Sequence, residues 1–166
     1  MSITSGAGRA THLDRYAKEN MITIQASAQF IATLCCALFS GASIYINLVE
    51  HPARLECGTE LAATVFGPSY RRATLMQASL AMLGFVCAEA AWLLGAGVSW
   101  LVGGLLLGLV IPFTLLVIMP TNTQLLSPSL DKTSSQTREL LSHWGRLHAV
   151  RSCLSFVALV IFLCSA

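Results

Sequence analysis

Long apolar runs separated by polar segments dominate the chain. Four of them approach the length of a membrane span, at residues 22–49, 73–95, 99–119 and 147–166. A helix needs roughly 20 residues to cross a bilayer, and only helices and closed barrels satisfy their backbone there. Barrel strands would alternate in polarity over about 10 residues, whereas these runs are continuous. The pattern predicts an all-α polytopic membrane protein, a four-transmembrane-helix antiparallel bundle.

The segments between the runs predict how the spans are arranged. Only Gly95–Val98 joins the second span to the third, so these two are expected to be antiparallel neighbours. The other links, 50–72 and 120–146, are longer, and TRELLSHWGRLH in the second of them has helical spacing, so the fourth helix should begin before the membrane. Residues 1–21 are polar and lack the apolar core of a secretory signal. They are interpreted as a loosely ordered tail before a single transmembrane domain, 22–166.

Four spans place both termini on one side of the membrane and both long loops on the other. Basic residues favour the cytoplasm for the loops, with the termini on the opposite side. The loop side carries Arg54, Arg71, Arg72, Lys132, Arg138 and Arg146, and the terminal side carries Arg9, Arg15 and Lys18.

Composition agrees with the hydropathy pattern. The chain is 55% hydrophobic and 11% charged, with a mean hydropathy of +0.69, against about 25% charged residues in soluble domains. A net charge of +2 is too small to indicate a nucleic-acid partner. The six cysteines form no Cys-x-x-Cys pair and mostly lie in apolar runs, which is typical of small core residues rather than of redox or zinc chemistry.

The third span contains two glycines and a proline. Gly104 and Gly108 form a small-xxx-small pattern, for which packing within the bundle is favoured over dimerisation. Pro112 should bend the helix. A bundle this small, with a third span free of charge, is nevertheless expected to form a homo-oligomer.

Unusual polar residues gather at one membrane face, where the first and third spans end and the second and fourth begin. On the fourth helix Trp144, His148, Arg151 and Ser155 recur at helical spacing and share one side. Polar residues avoid lipid, so Arg151 is expected to face a cavity inside the bundle.

The first span carries a comparable small and polar stripe, at Ser40, Ser43 and Asn47. Pro52 disfavours helical geometry at His51, so the helix is expected to end or kink there. Gln77, one turn inside the second span, is a further pocket candidate. Glu89 lies near the opposite face, where it is expected to reach water.

Four of these motifs, in this order, resemble a family of small four-helix membrane proteins that includes the anthrone oxygenases. They are YINLVEHPAR, PSYRR with MQAS, IMPTN and WGRLHAVRS, and the resemblance covers about residues 41–152. It implies oxidation of a lipophilic phenolic, anthrone-like substrate by an integral membrane oxygenase, with dioxygen as cosubstrate and no flavin, haem or metal.

The resemblance also suggests roles for the polar residues. His148 would be the catalytic base, with His51 the second choice, because a neutral histidine beside arginines is a natural proton acceptor. Arg151 and Arg146 would stabilise the substrate anion and a peroxide. The expected substrate-binding residues are Trp144, Asn47, Asn122, Tyr45, Gln77, Arg54 and Arg72, with Trp144 stacking on the ring system.

Other interpretations stay open. A metal held by His51 and His148 is not ruled out, although the histidines and carboxylates lack the usual ligand spacings. An arginine-lined site would also suit a small membrane transferase or isomerase of the glutathione transferase kind. A non-enzymatic membrane binding or assembly protein would pair its polar groups with one another and leave no cavity. A further alternative is that some arginines reach lipid headgroups: Arg54, Arg71, Arg72 and Arg146.

Overall fold

The computed structural model describes residues 4–165, with the side chains of His12 and of residues 15–165. This part of the chain is helical except for short connections. In chain order the elements are α1 (Thr4–Tyr45), a first π-helical turn (Ile46–Glu50), α2 (His51–Glu56), α3 (Thr59–Leu93), α4 (Val98–Phe113), a second π-helical turn (Thr114–Ile118), α5 (Met119–Leu125) and α6 (Ser135–Ser165).

These elements combine into four helices that are long and apolar enough to cross a membrane: Arg15–Glu56, Thr59–Leu93, Val98–Leu125 and Ser135–Ser165. The first joins α1 to α2 through a π turn, and the third joins α4 to α5 in the same way. The prediction of an all-α, multi-pass membrane protein with four spans is confirmed.

The helices extend beyond the apolar runs that predicted them. The first begins at Thr4, so the segment expected to be a loosely ordered tail is helical from that residue onward. Residues 4–21 contain no proline to interrupt the helix that follows. The fourth begins at Ser135, ahead of its apolar run at 147–166, and Ser134 Oγ accepts the Thr137 N–H at 3.2 Å as a cap.

Each π turn ends two residues before a proline, Pro52 in the first helix and Pro120 in the third. The first turn closes with the His51 N–H on the Ile46 carbonyl, and the second with the Met119 N–H on the Thr114 carbonyl. A proline lacks the N–H for an α-helical bond and its ring collides with the carbonyl four residues earlier, whereas a wider turn relieves both problems. The expected end of the helix at His51 is therefore wrong, because the helix continues through Pro52 to Glu56, with the π turn just before it.

The four spanning helices pack as a square in which each contacts its two neighbours in the order first, second, third, fourth and back to the first. Small residues line the contacts, and Trp100 stacks on Phe162 with their ring centroids 4.9 Å apart. A Cβ added at Gly104 would lie 3.0 Å from Ala88 Cβ, and one at Gly108 would lie 2.8 Å from Phe85 Cδ2. Both glycines therefore serve packing between the third and second spanning helices.

Glu89 differs from expectation. One of its carboxyl oxygens, Oε1, is buried against Gly104 and has no hydrogen-bond partner among the described residues. The side chain lies across the contact between two helices instead of turning fully to water.

Candidate functional site

A small, partly open cavity of about 30 Å³ lies where the four polar helix ends meet. All four spanning helices contribute to its wall, at the end of the bundle where the sequence gathers its unusual polar residues. The lining residues are Ile46, Glu50, Arg54, Phe66, Ser69, Tyr70, Ala73, Thr74, Gln77, Thr114, Ile118, Asn122, Trp144, His148 and Arg151.

Asn47 fixes the orientation and the tautomer of His148. The Asn47 amide donates from Nδ2 to the Gly145 carbonyl at 3.0 Å, which identifies Oδ1 as the atom facing the imidazole. Oδ1 lies 2.7 Å from Nδ1 of His148, and because an amide oxygen can only accept, Nδ1 carries the proton. A neutral ring then keeps its lone pair on Nε2. His148 is 2% exposed and lines the cavity, so this basic nitrogen is shielded from bulk solvent.

Ser152 belongs to the same network, one helical turn after His148. Its hydroxyl lies 2.6 Å from Asn47 Oδ1 and 3.1 Å from the His148 carbonyl oxygen. Asn47 sits in the first π turn, so the bulge in the first helix places the amide that holds α6 and its histidine.

Trp144 fills the space between the two histidines. Its ring centroid is 4.8 Å from that of His148, 5.1 Å from that of His51 and 5.3 Å from that of Phe66. Its Nε1 donates to Asn122 Oδ1 at 2.9 Å. The indole is thus packed among protein rings and only 7% exposed, an environment that favours positioning of His148 over stacking on a substrate.

His51 lies behind this tryptophan and does not line the cavity. Its Nε2 is buried with no partner among the described residues. Gly145 provides the room, because a Cβ there would lie 2.7 Å from His51 Nε2. A base must reach its substrate, so the geometry favours His148 over His51.

Arg151 reaches across the bundle from α6. It donates from Nη2 to Gln77 Oε1 on α3, and its Nη1 lies 3.5 Å from Thr114 Oγ1 in the second π turn. Its guanidinium carbon is 5.1 Å from the centre of the Phe39 ring, a cation–π arrangement. Arg151 Nε and Gln77 Nε2 are buried without partners in the described structure. Arg151 lines the cavity, as the sequence predicts, and these two N–H donors beside the cavity have no acceptor in the described structure.

A charged pair closes another side of the cavity. Arg54 and Glu50 form a salt bridge one turn apart, and Arg54 Nη2 donates to Ser69 Oγ at 2.7 Å on the second helix. Beyond this wall lies a lipid-side groove between α1 and α3. Tyr45 and Arg72 line that groove and not the cavity.

The predicted site residues therefore separate into groups. Asn47 and His51 pack behind the cavity wall, Tyr45 and Arg72 lie in the adjoining groove, and Arg146 lies apart. Arg146 is exposed on the outer side of α6, so the expectation that it shares the pocket is not met. Residues two apart on a helix face different directions, which turns it away from both Trp144 and His148. The predicted residues that line the cavity are His148, Arg151, Trp144, Asn122, Gln77 and Arg54.

The structure adds residues that sequence reasoning did not assign to the site. Phe66, Tyr70 and Thr74 recur at helical spacing along α3, ahead of the predicted Gln77, and form one wall with it. Extending the stripe backward from Gln77 would have found them. Thr114 has no such signal, since it depends on the π turn.

Among the described side chains, those of His12 and residues 15–165, no group of three or more His, Cys, Asp or Glu is arranged to hold a metal ion. The prediction that the chemistry needs no cofactor remains a prediction.

The sequence of the chain is similar to those of known proteins. The family model described as anthrone oxygenase matches residues 60–161, which include every cavity residue contributed by α3 and α6. The chain belongs to the anthrone oxygenase family. It is also similar to a curated protein named anthrone oxygenase tpcL from Aspergillus fumigatus, with 26% identity over 143 residues, 80% of this chain and 89% of that protein. No solved structure matches the chain. Membership confirms the resemblance and supports an oxygenase-like activity.

Proposed function

We propose that this member of the anthrone oxygenase family oxidises a lipophilic phenolic, anthrone-like substrate with dioxygen, without a cofactor, in the cavity at the loop end of the bundle. The observation that carries the proposal is the Asn47–His148 hydrogen bond of 2.7 Å, which leaves Nε2 of a buried neutral imidazole for the cavity.

Proton abstraction is the first step. A carbon beside a carbonyl in an electron-rich ring system is acidic, and Nε2 of His148 accepts its proton. The resulting imidazolium keeps its Nδ1–H on Asn47, so the ring does not have to turn during the transfer. A positioned base of this kind contributes about 10²–10⁴-fold to a rate.

Stabilisation of the anion is assigned to Arg151. Its guanidinium is held by Gln77 and Thr114 at the cavity wall, where a fixed positive charge in a dry environment favours a substrate anion. Tyr70 and Asn122 add polar groups to the same wall.

Dioxygen then accepts an electron from the substrate anion, and recombination of the two radicals gives a carbon-bound peroxide. The peroxide takes up the proton held by His148 and loses water across the C–H and O–O bonds. The overall reaction converts a CH₂ group and O₂ into a C=O group and H₂O, so atoms and electrons balance without an external reductant.

Dioxygen uptake tests the proposal. The purified protein is supplied with anthrone in detergent, with and without a chelator, and compared with His148→Gln and His143→Gln. His143 lies on the same helix but is exposed and outside the cavity, so its variant controls for loss of a histidine.

We expect uptake to survive the chelator, to fall about 10²–10⁴-fold in His148→Gln, and to stay unchanged in His143→Gln. Uptake lost with the chelator and restored by one metal would overturn the cofactor-free mechanism. Full uptake by a folded His148→Gln protein would overturn the base.

A further inference from the structure

A second, mostly apolar cleft of about 100 Å³ opens between α3 and the third spanning helix. It adjoins the cavity and shares five lining residues with it: Tyr70, Thr74, Gln77, Thr114 and Arg151. The remaining wall is hydrocarbon, from Phe39, Ala78, Ala81, Val110, Ile111, Leu115 and Met119.

Small side chains create the opening on one side. Thr74 and Ala78 are exposed on the surface of α3, one turn apart, and Leu115 opposite them is 56% exposed. At this depth an exposed surface faces acyl chains. The cleft is therefore a window from the bilayer to the polar groups of the cavity.

A weak contact closes the window toward the loops. The Tyr70 hydroxyl lies 3.8 Å from Met119 Sδ, and a thioether is a poor acceptor on a flexible side chain. On the other flank of α3, by contrast, the wall contains the Glu50–Arg54 salt bridge and its bond to Ser69. An uncharged molecule entering there would have to separate a hydrogen-bonded ion pair.

We propose that the substrate enters from the bilayer through the window between α3 and the third spanning helix, and that the apolar cleft holds its ring system while its polar edge meets Arg151 and Gln77. The inference rests on the proposed function for the identity of the substrate. It commits to an uncharged, flat, membrane-dissolved molecule, and it makes Thr74 and Ala78 determinants of the size of ring that is accepted.

Photolabelling and kinetics test the entrance separately from the chemistry. An alkyl diazirine derivative of anthrone is irradiated with the full-length protein in lipid nanodiscs, and adducts that excess unlabelled anthrone removes are mapped by mass spectrometry. Turnover is measured in parallel for Ala78→Phe, Leu83→Phe and Ala42→Phe. Leu83 is an exposed lipid-facing residue of α3 outside the cleft, and Ala42 lines the groove on the other flank.

We expect competed adducts at residues 74, 78, 111 and 115, and a fall in kcat/KM on the order of tenfold or more in Ala78→Phe alone. Adducts confined to the groove at Ala42, loss of turnover in Ala42→Phe alone, or no competed adducts would each overturn the entrance. Full turnover by Ala78→Phe would overturn it while leaving the oxygenase intact. Competed adducts in the cleft, with no turnover by the wild type or any of the variants, would support the entrance and overturn the proposed oxygenase activity.

Discussion

Asn47 Oδ1 and His148 Nδ1 lie 2.7 Å apart although they are far apart in the chain, one on the π turn of the first spanning helix and the other on α6. The same amide donates from Nδ2 to the Gly145 carbonyl and accepts a hydrogen bond from the Ser152 hydroxyl at Oδ1. A single side chain thus ties the first helix to the fourth and sets which nitrogen of the imidazole is basic.

Replacing Asn47 with leucine should reduce activity and stability together. All three hydrogen bonds to α6 are lost and the buried Nδ1–H of His148 is left unpaired, a cost of about 1–3 kcal/mol. We expect a lower unfolding temperature and a fall in kcat with little change in KM, measured by thermal unfolding and dioxygen uptake. Asn20→Leu, at an exposed asparagine of α1, should change neither quantity; equal losses in the two variants would contradict the assigned role.

Gly145 and Gly41 should respond oppositely to alanine. A Cβ at position 145 would lie 2.7 Å from His51 Nε2, whereas one at position 41 meets nothing within 4 Å. Gly145→Ala should therefore destabilise the bundle by about 1–3 kcal/mol through overpacking. Gly41→Ala should be neutral or stabilise the helix by about 0.5–1 kcal/mol. Chemical unfolding in detergent measures both, and a Gly145→Ala protein as stable as the wild type would show that His51 moves aside freely.

Arg151 and Arg146 are five residues apart in the sequence, but Arg151 lines the cavity and Arg146 is exposed outside it. Arg151→Met should lower kcat/KM about 10²–10³-fold, because the donor that faces the cavity is lost. Arg146→Met should stay within about twofold of the wild type, since that side chain is exposed outside the cavity. Steady-state dioxygen uptake compares the two, and equal losses would return Arg146 to the site.

Asp131 should make stability depend on acid in a defined direction. Hydrogen bonds from the Thr133 hydroxyl, at 2.7 Å, and from its N–H, at 2.9 Å, hold the pKa of Asp131 below its ordinary value. A group with a lowered folded-state pKa stabilises the fold above its unfolded pKa of about 3.9, and this contribution is lost as pH falls through the folded pKa.

The difference in unfolding temperature between wild type and Asp131→Asn should accordingly be present near neutral pH and shrink as the pH falls below about 4. Thermal scans across that range measure it. Glu139→Gln, at an exposed position of α6, is the matched control. A difference that grows on acidification would reverse the sign of the argument.

The sequence by itself determined the membrane class, the four spans and the end of the bundle at which polar residues gather. Hydropathy and helical period are local properties, so they also placed Trp144, His148 and Arg151 on one side of α6 correctly. The same local rule, applied at finer resolution, would have turned Arg146 outward and added Tyr70 and Thr74 to the wall.

Tertiary structure decided which partners these residues have. The pairing of Asn47 with His148 and of Gln77 with Arg151 joins helices that are distant in sequence, and no periodicity within one helix encodes it. The two π turns place Asn47 beside His148 and Thr114 at the cavity wall. Burial of His51 behind Trp144, which favours His148 as the proposed base, also follows from that packing.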